Sequence, residues 1–466
     1  MADKNLTAGP VPRLVVTLAI PSLTVMLLQS MYALVNLVFV GRLGGPAVAA
    51  LSISINTFFI VLALGQAMGT GGLALLAQAY GRGERAKVPY IFQQLFWLTL
   101  ALGVVFWILG ILVADPFIRA FSADPEVIAL GVPFFRVFAA SFFNQMVMIA
   151  LSFSFRAVGD FVAPAIIFGV TILLNVVLDI TLIFGVGPFP RLGLMGAGIA
   201  TSVAQGVGVL AYVWLVTASR RSSLLVVRRP FTLDPAVLWR LVKIGIPSGV
   251  QNLLFTAILM LGYRYVRPFG ADATASVGIG FRVIQSCIMP CVALATSVAS
   301  LVGQNYGARK PERVKAAIVW GFTYAIGISA AEYGILAIAP HFWVSLFAHE
   351  ESIISIGSLY LVVMGLILPL NAYSMIVTFA AQGLGRTVMP MLAVGLRLVV
   401  YIVALQVVEA TIGITLTSIF WTGAAISVVD LVTMSGVLVG FWRRVLKVPP
   451  ATAPSGPVVA PAPEIG

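Results

Sequence analysis

The segments AQAYG at residues 77–81 and GQNYG at residues 303–307 share the pattern Gln-x-Tyr-Gly and lie 226 residues apart. The same offset relates further anchors, namely Pro21 and Pro247, Gly44 and Gly270, Ala47 and Ala273, Phe153 and Phe379, Gly159 and Gly385, and Pro164 and Pro390. One offset for all these pairs predicts two copies of one structural unit. Duplicated membrane bundles form transporters whose substrate path lies between the halves.

The composition is that of a membrane protein. Apolar residues make up 60% of the chain and charged residues 9%, whereas soluble domains carry roughly 25% charged residues. Apolar stretches long enough to cross a hydrocarbon core of about 30 Å recur throughout. We therefore predict an all-α polytopic membrane protein with twelve transmembrane helices, at about 14–40, 47–80, 89–113, 128–155, 162–187, 193–217, 241–264, 273–306, 315–345, 354–380, 389–412 and 414–441.

Each copy has six spans, and an even number of spans returns the chain to the side of the membrane where it started. Both copies therefore have the same orientation, which predicts two six-helix lobes related by a pseudo-twofold axis along the membrane normal. The predicted order is a cytoplasmic N-terminus (1–13), an N-lobe (14–217), a basic cytoplasmic linker (218–240), a C-lobe (241–441) and a disordered cytoplasmic tail rich in Pro and Ala (442–466).

The net charge of +12 follows this topology, so it does not indicate a nucleic-acid partner. Most of the Lys and Arg residues fall on the side that carries both termini, and the opposite loops hold acidic residues such as Asp124 and Glu351. The positive-inside rule places both termini in the cytoplasm, which predicts a multi-pass protein of the plasma (inner) membrane. No cleavable signal peptide is expected, because the first span is too long.

Several motifs together resemble one known family. They are P21-x14-N36-LVFVGRLGG-x-A47, GQAMGTGG (65–72), AQAYG (77–81), FRAVGDFVAP (155–164), N175-VVLD179-x4-FGVG, LGLMGAGIAT (192–201), IGIPSG (244–249) and LVGQNYGARK (301–310). Their order and spacing resemble those of multidrug and toxic compound extrusion (MATE) transporters of bacterial or archaeal type. The resemblance covers nearly the whole chain from Pro21 to Arg444. It implies a two-lobe exporter that exchanges amphipathic, often cationic compounds for inward-moving H⁺ or Na⁺.

Cation coupling requires a group that binds the ion in one state and releases it in another, and inside a membrane that group is usually a carboxylate. Asp179 is the strongest candidate, and Asn175 lies one helical turn before it on the same face. The cation site of the family's N-lobe resembles this pair, which the resemblance makes a candidate Na⁺ site. The family usually has Asp where this chain has Asn36, which can ligate but cannot titrate. Thr201 is a further candidate ligand.

The C-lobe is predicted to lack a coupling site. The positions where many relatives carry acids correspond here to Gln251 and its neighbours and to Asn371. The candidates for the substrate cavity are Tyr32, Phe153, Gln251, Asn371 and Tyr373, since aromatic surfaces suit permissive pockets. Pro21 and Pro247 are candidate hinges, although a plain packing kink is as good an interpretation.

Other polar residues within the spans carry weaker predictions. Cys287 and Cys291 are expected to pack as small apolar residues rather than bind a metal. Glu332 and Asp430 are expected to form inter-helix pairs or to lie at the lipid edge. The sequence does not assign a role to the basic residues Arg282 and Arg397. Possible partners of Arg397 are Glu409 and backbone carbonyls.

The predicted function is therefore a secondary active multidrug exporter that works by alternating access as a monomer in the lipid bilayer, with small organic molecules as substrates. Enzyme motifs are missing from the sequence, so the chain is not expected to be an enzyme, and without a Walker loop it is not expected to be driven by ATP. No cofactor is expected beyond the coupling ion, H⁺ or Na⁺. The alternative is a flippase of lipid-linked precursors from the same superfamily, which would use deep basic residues. A third alternative is a receptor or scaffold that transports nothing.

Overall fold

A computed structural model describes residues 5–217 and 232–445. Helices α1 to α6 form the N-lobe: α1 (Val11–Gly41), α2 (Gly45–Gly81), α3 (Lys87–Phe121), α4 (Pro125–Ala157), α5 (Val162–Phe184) and α6 (Leu194–Thr217). Helices α7 to α14 form the C-lobe: α7 (Pro235–Val266), α8 (Ala271–Gly307), α9 (Pro311–Ile338), α10 (Pro340–Ser345), α11 (Glu351–Gly365), α12 (Leu368–Gly383), α13 (Val388–Thr411) and α14 (Leu416–Val445).

The protein is a multi-pass membrane protein with twelve helical spans, as the sequence predicts. Eleven of the described helices are long and apolar enough to cross a membrane, and α11 with α12 makes a twelfth span that is bent by 48°. The sequence predicts one helix over 354–380, but the chain turns at 366–367 before Pro369, whose ring cannot continue a regular helix. The predicted span 315–345 is also divided, because α9 ends at Ile338 and the short α10 begins at Pro340.

Three predicted segment boundaries differ from the structure. Residues 235–240 of the predicted linker already belong to α7, which begins after Asp234 caps its first amides. Residues 442–445 of the predicted tail continue α14, and α1 begins at Val11 within the predicted N-terminus. Residues 1–4, 218–231 and 446–466 lie outside the described residues.

The doubled architecture is visible in the helix boundaries. Helix α2 spans Gly45–Gly81 and α8 spans Ala271–Gly307, so both ends of this pair differ by the repeat offset. Each of these helices is nearly continuously buried in its second half, from Gly65 to Tyr80 and from Cys291 to Gly307, and only intermittently buried in its first half. The lobes therefore meet along the second halves of α2 and α8, where both helices end.

We call this end of the bundle the basic end, because Arg82, Lys87, Arg309, Lys310 and Arg313 follow the two helices there. The first helix of each lobe crosses to the other lobe at this end. The beginning of α1, with Val11, Val15 and Leu18, belongs to the apolar core formed by α8, α9 and α12. Correspondingly, Leu241 of α7 belongs to the core of the N-lobe. The two first helices thus tie the lobes together.

Candidate cation site

The candidate cation site lies in the N-lobe between α1 and α5. Helix periodicity places Asn175 and Asp179 on one face of α5, where both are buried. Tyr32 and Asn36 of α1 also lie four residues apart and present their side chains to that face. The Tyr32 hydroxyl donates to Asn175 Oδ1, and Asn36 Nδ2 donates to the Tyr32 oxygen at 3.1 Å. The four side chains form one connected hydrogen-bond network.

The two oxygens of Asp179 are in different environments. Oδ2 accepts from Asn36 Nδ2 at 3.4 Å, whereas Oδ1 is buried and has no hydrogen-bond partner among the described residues. The residue as a whole is fully buried. A carboxylate buried with an open oxygen carries a desolvation cost that binding a cation removes. Oδ1 is therefore the open acceptor of the candidate site.

Thr201 of α6 lies at the edge of the network, near Tyr32. Its hydroxyl donates to the carbonyl of Ala197 at 3.0 Å. The side chains of Asp179, Asn175, Tyr32 and Thr201 all carry oxygen atoms, the ligand type that a hard cation such as Na⁺ prefers.

Tyr32 was predicted to line the substrate cavity, and the structure places it inside the hydrogen-bond network of the candidate cation site. The sequence contained a signal for this position. Tyr32 and Asn36 are separated by four residues, as are Asn175 and Asp179, so each pair lies on one face of its helix. What the sequence lacks is the information that these two faces meet.

The other substrate-cavity candidates are dispersed. The Phe153 ring packs on Gly69, where an added Cβ would come within 2.9 Å of it. Gln251 of α7 donates to Thr378 of α12 at 3.2 Å. Tyr373 stacks on Phe322 with ring centroids 4.7 Å apart, and its hydroxyl lies 2.9 Å from Ser435 Oγ. These contacts hold helices together, and a substrate role for these side chains stays a prediction.

Asn371 lines a cavity of about 110 Å³ inside the C-lobe. Three tyrosines, Tyr263, Tyr360 and Tyr401, line the same cavity together with Arg397. Tyr401 and Leu405 occupy the positions that the repeat offset assigns to Asn175 and Asp179, and both are buried. The N-lobe network thus has no copy at its equivalent position in the C-lobe.

Arg397, for which the sequence left Glu409 and backbone carbonyls open as partners, pairs with Asp430 instead. Arg397 Nη1 lies 3.5 Å from Asp430 Oδ2, and Nη2 donates to Ser427 Oγ at 3.4 Å. Glu409 is exposed near the end of α13, which is too far along the helix axis for this contact. Asp430 belongs to the next helix, α14, so only the packing of α13 on α14 creates the ion pair.

The remaining polar residues in the spans are placed as follows. Cys291 is buried with its Sγ 3.6 Å from the carbonyl of Ala325, and Cys287 is half-buried. Glu332 of α9 is half-buried, and its Oε2 has no hydrogen-bond partner among the described residues. Over residues 5–217 and 232–445, the structure contains no group of three or more His, Cys, Asp or Glu side chains arranged to hold a metal ion.

Both predicted hinge prolines lie inside their helices, Pro21 in α1 and Pro247 in α7. In α1, Pro21 lies between the beginning of the helix and the turn that carries Tyr32 and Asn36, and contacts with the C-lobe continue beyond it at Met26 and Ser30. In α7, Ser248 follows the proline and accepts from Gln382 at 3.3 Å. The positions suit hinges, and the hinge role stays a prediction.

Comparisons with known proteins agree with this geometry. The family model described as MatE matches residues 21–181 and again residues 247–407, two ranges that differ by the repeat offset. Together they cover more than half of the chain.

Relatives of known name are similar over most of their length. A probable multidrug resistance protein NorM from Thermotoga maritima is 25% identical over 81% of each chain. A multidrug export protein MepA from Staphylococcus aureus is 25% identical over 89% of this chain and 90% of its own. A FAD transporter from Shewanella oneidensis is 26% identical over 78% of this chain and 80% of its own.

Solved structures share the fold. A MOP superfamily transporter from Pyrococcus furiosus superposes with a TM-score of 0.86 at 21% identity, covering 96% of this chain and 99% of that one. A structure described as the outward-facing conformation of a multidrug resistance MATE family transporter gives the same TM-score, identity and coverage.

Proposed function

Since this chain belongs to the MatE family, we propose that it is a secondary active exporter that moves amphipathic, cationic organic compounds out of the cell in exchange for inward-moving H⁺ or Na⁺. The observation that carries the proposal is the buried, unpartnered Oδ1 of Asp179 within the network of α1 and α5. One relative with a similar sequence is named a probable multidrug resistance protein and another a multidrug export protein, which supports the substrate class.

The coupling step uses the tie between α1 and α5. In the ion-free state, the Asp179 carboxylate accepts a hydrogen bond from the side-chain amide of Asn36. A proton or Na⁺ at Oδ1 neutralises the carboxylate, which weakens this acceptor and loosens α1 from α5. Because α1 also packs on the C-lobe at the basic end, a change in its position at Asp179 biases the arrangement of the two lobes. Alternation between two lobe arrangements then exposes the substrate path to either side.

The basic end lies in the cytoplasm in this proposal, following the excess of Lys and Arg there. The lobes meet at this end, so the described arrangement is closed towards the cytoplasm. The protein works as a monomer in the inner membrane, and its chemistry is ion exchange and transport rather than catalysis.

The contacts of Arg397 favour an exporter over a flippase of lipid-linked precursors. A flippase that binds anionic headgroups needs deep basic residues free to face the path between the lobes. Arg397 is instead paired with Asp430 and Ser427 within the C-lobe.

The test is transport into proteoliposomes. Uptake of ethidium is measured under an imposed pH gradient and, separately, under an imposed Na⁺ gradient, for wild type and Asp179→Asn. The matched control is Asp115→Asn, which removes a carboxylate that pairs with Arg119 on the surface. We expect Asp179→Asn to lose cation-driven uptake and Asp115→Asn to retain it. Unchanged uptake by a folded Asp179→Asn variant would exclude this site from coupling.

A parallel substrate arm separates the candidate classes. Because one relative is named a FAD transporter, FAD is offered under the same gradients. Preferred transport of FAD over ethidium would replace the cationic substrate class with an anionic one, and would leave the coupling role of Asp179 to be decided by its own variant.

A further inference from the structure

Two glutamines make reciprocal contacts between the lobes at the basic end. Gln78 Nε2, at the end of α2, donates to the carbonyl of Gly383 at 3.0 Å. Gln304 Nε2, at the end of α8, donates to the carbonyl of Ala157 at 2.8 Å. The donors are related by the repeat offset, and so are the acceptors. Each lobe therefore holds the end of a helix in the other lobe, and we call this pair of bonds the glutamine lock.

The lock requires a close approach of the two backbones. A Cβ on Gly81 would lie 1.9 Å from the carbonyl oxygen of Gln304, and a Cβ on Gly307 would lie 2.2 Å from that of Gln78. No side chain fits at these distances, so the two Gln-x-Tyr-Gly turns interlock only because both end in glycine. This explains why the pattern occurs in both copies.

One half of the lock carries an additional segment. Asn5–Gly9, which precedes α1, lies on the end of α8 and the beginning of α9. The Leu6 side chain is fully buried in the core that α1 shares with the C-lobe. Its backbone amide donates to Gln304 Oε1 at 3.2 Å, and its carbonyl accepts from Asn305 Nδ2 at 3.1 Å. We call these five residues the strap.

The contact with Leu6 fixes the orientation of the Gln304 amide. With Oε1 engaged by the Leu6 amide, Nε2 must point the other way, where it meets the Ala157 carbonyl. Both ends of the Gln304 amide therefore make a hydrogen bond: Oε1 accepts from the strap, and Nε2 donates to the N-lobe. The strap is a positioning element for this half of the lock.

Two basic side chains of the C-lobe hold the strap in place. Arg313 Nη1 donates to the carbonyl of Gly9 at 2.9 Å, and Nη2 donates to those of Ala8 at 3.1 Å and Leu6 at 3.3 Å. Lys310 Nζ donates to the carbonyl of Thr7 at 2.9 Å. Arg313 Nε also donates to Asn305 Oδ1 at 3.0 Å. The planar guanidinium of Arg313 bonds to three carbonyls of the strap at once, whereas the ammonium of Lys310 bonds to one.

The N-lobe has a lysine at the equivalent position. Lys87 corresponds to Arg313 by the repeat offset, and its ammonium forms an exposed ion pair with Glu84 at 3.2 Å. The repeat therefore supplies a matched comparison within one molecule. At equivalent positions of the two lobes, Arg313 bonds to the strap, whereas Lys87 forms an ion pair on the surface.

We propose that the strap Asn5–Gly9 holds the basic end of the transporter closed by positioning Gln304 in the glutamine lock. Opening the basic end then requires breaking the bond between Gln304 and Ala157, and the strap increases the free energy needed to do so. The inference rests on the alternating access of the proposed function, but its readout is a distance between lobes rather than transport.

The experiment measures that distance by pulsed electron paramagnetic resonance on the full-length protein in lipid nanodiscs. Native cysteines are removed as Cys287→Ser and Cys291→Ala. Spin labels are attached through Ala86→Cys and Glu312→Cys, two exposed positions at the beginnings of α3 and α9 that the repeat offset relates. The test variants are Arg313→Gln and Leu6→Ala, the matched control is Lys87→Gln, and Gln304→Leu removes the lock directly.

We expect Gln304→Leu, Arg313→Gln and Leu6→Ala each to add a longer distance, with the ratio of open to closed molecules raised about tenfold, as expected for loss of hydrogen bonds to a charged group or a buried anchor. Lys87→Gln should keep the wild-type distribution. Melting temperatures identify any variant that has unfolded. If one of the two strap variants, Arg313→Gln or Leu6→Ala, has unfolded, the distance distribution of the other one tests the proposal.

Three results would overturn the proposal. One is an unchanged distribution in both strap variants. Another is an equal shift in Lys87→Gln, which would indicate a general charge effect. The third is an unchanged distribution in Gln304→Leu, which would show that the lock does not hold the ends together. Absence of cation-driven uptake by the wild type in the separate transport assay would overturn the proposed function without altering any of these distances.

Discussion

Asn36 Nδ2 lies 3.4 Å from Asp179 Oδ2 and connects α1 to α5. An amide at this position donates a hydrogen bond to the carboxylate, whereas a second carboxylate would repel it unless the two shared a proton. The site is therefore built around one titratable group, with the amide as its fixed donor. This relationship leads directly to a prediction about stoichiometry.

Asn36→Asp should leave the number of protons exchanged per transport cycle unchanged. Two buried carboxyl groups at this distance cannot both be charged, so the pair keeps one proton in the ion-free state and gains one more on loading, as Asp179 alone does. Stoichiometry is measured from the pH gradient that balances an opposing substrate gradient in proteoliposomes. The control is Asn36→Asp combined with Asp179→Asn, which restores a single carboxyl group and should give the wild-type value as well. A shifted balance point in Asn36→Asp would contradict the prediction.

Tyr32→Phe should reduce cation-driven export about tenfold, because the phenol joins Asn175 to Asn36 and its loss leaves the buried Asn175 amide oxygen without its donor. The measurement is the initial rate of ethidium uptake under each gradient. Tyr373→Phe is the matched control, since it removes a hydroxyl that contacts Ser435 within the C-lobe. It should lower the melting temperature and leave the cation dependence unchanged. Equal losses of coupling in both variants would indicate that the Tyr32 hydroxyl has no specific role.

Asp430→Asn should destabilise the C-lobe by about 3 kcal/mol, because it leaves the Arg397 guanidinium buried without its counter-charge. Both side chains are less than one-tenth exposed, so solvent does not screen the loss. Replacing both residues, as Arg397→Met with Asp430→Leu, should recover most of the stability. The free energy of unfolding is measured by denaturant titration in detergent, and a double variant as unstable as Asp430→Asn would disprove the pairing.

Gly81→Ala and Gly307→Ala should each destabilise the closed basic end, since the added methyl group would clash with a backbone carbonyl of the other lobe. The labelled pair at residues 86 and 312 reports the change as a longer distance. Gly327→Ala is the control, because an added Cβ there meets no atom within 4 Å inside α9. Normal distances in both turn variants would show that the lobes adjust without separating.

The sequence predicts the helices of this protein well, because long apolar stretches have few alternatives in a membrane. It fails at α10 and at the break between α11 and α12, where Pro340 and Pro369 interrupt apolar stretches that hydropathy alone joins into single spans. It also identifies Asn175, Asp179 and Asn36, since polar groups within apolar helices are conspicuous. It does not predict the contact of Tyr32 with Asn175 or that of Arg397 with Asp430, because each contact depends on which neighbouring helix packs alongside.

By itself, the sequence determines the doubled architecture, with its two lobes, and the absence of a copy of the Asp179 pair in the second lobe, since these follow from residue order and one constant offset. The tertiary structure decides how the copies are used. It turns the repeated Gln-x-Tyr-Gly segments towards each other, so that each glutamine bonds a carbonyl of the opposite lobe. Among the described residues, it seats Asn5–Gly9 on Gln304, whereas Thr232 and Asp234, which precede α7, bond to Gln94 of α3. The physical reason is that hydrogen bonds between lobes depend on distances across the bundle, and no spacing along the chain encodes those distances.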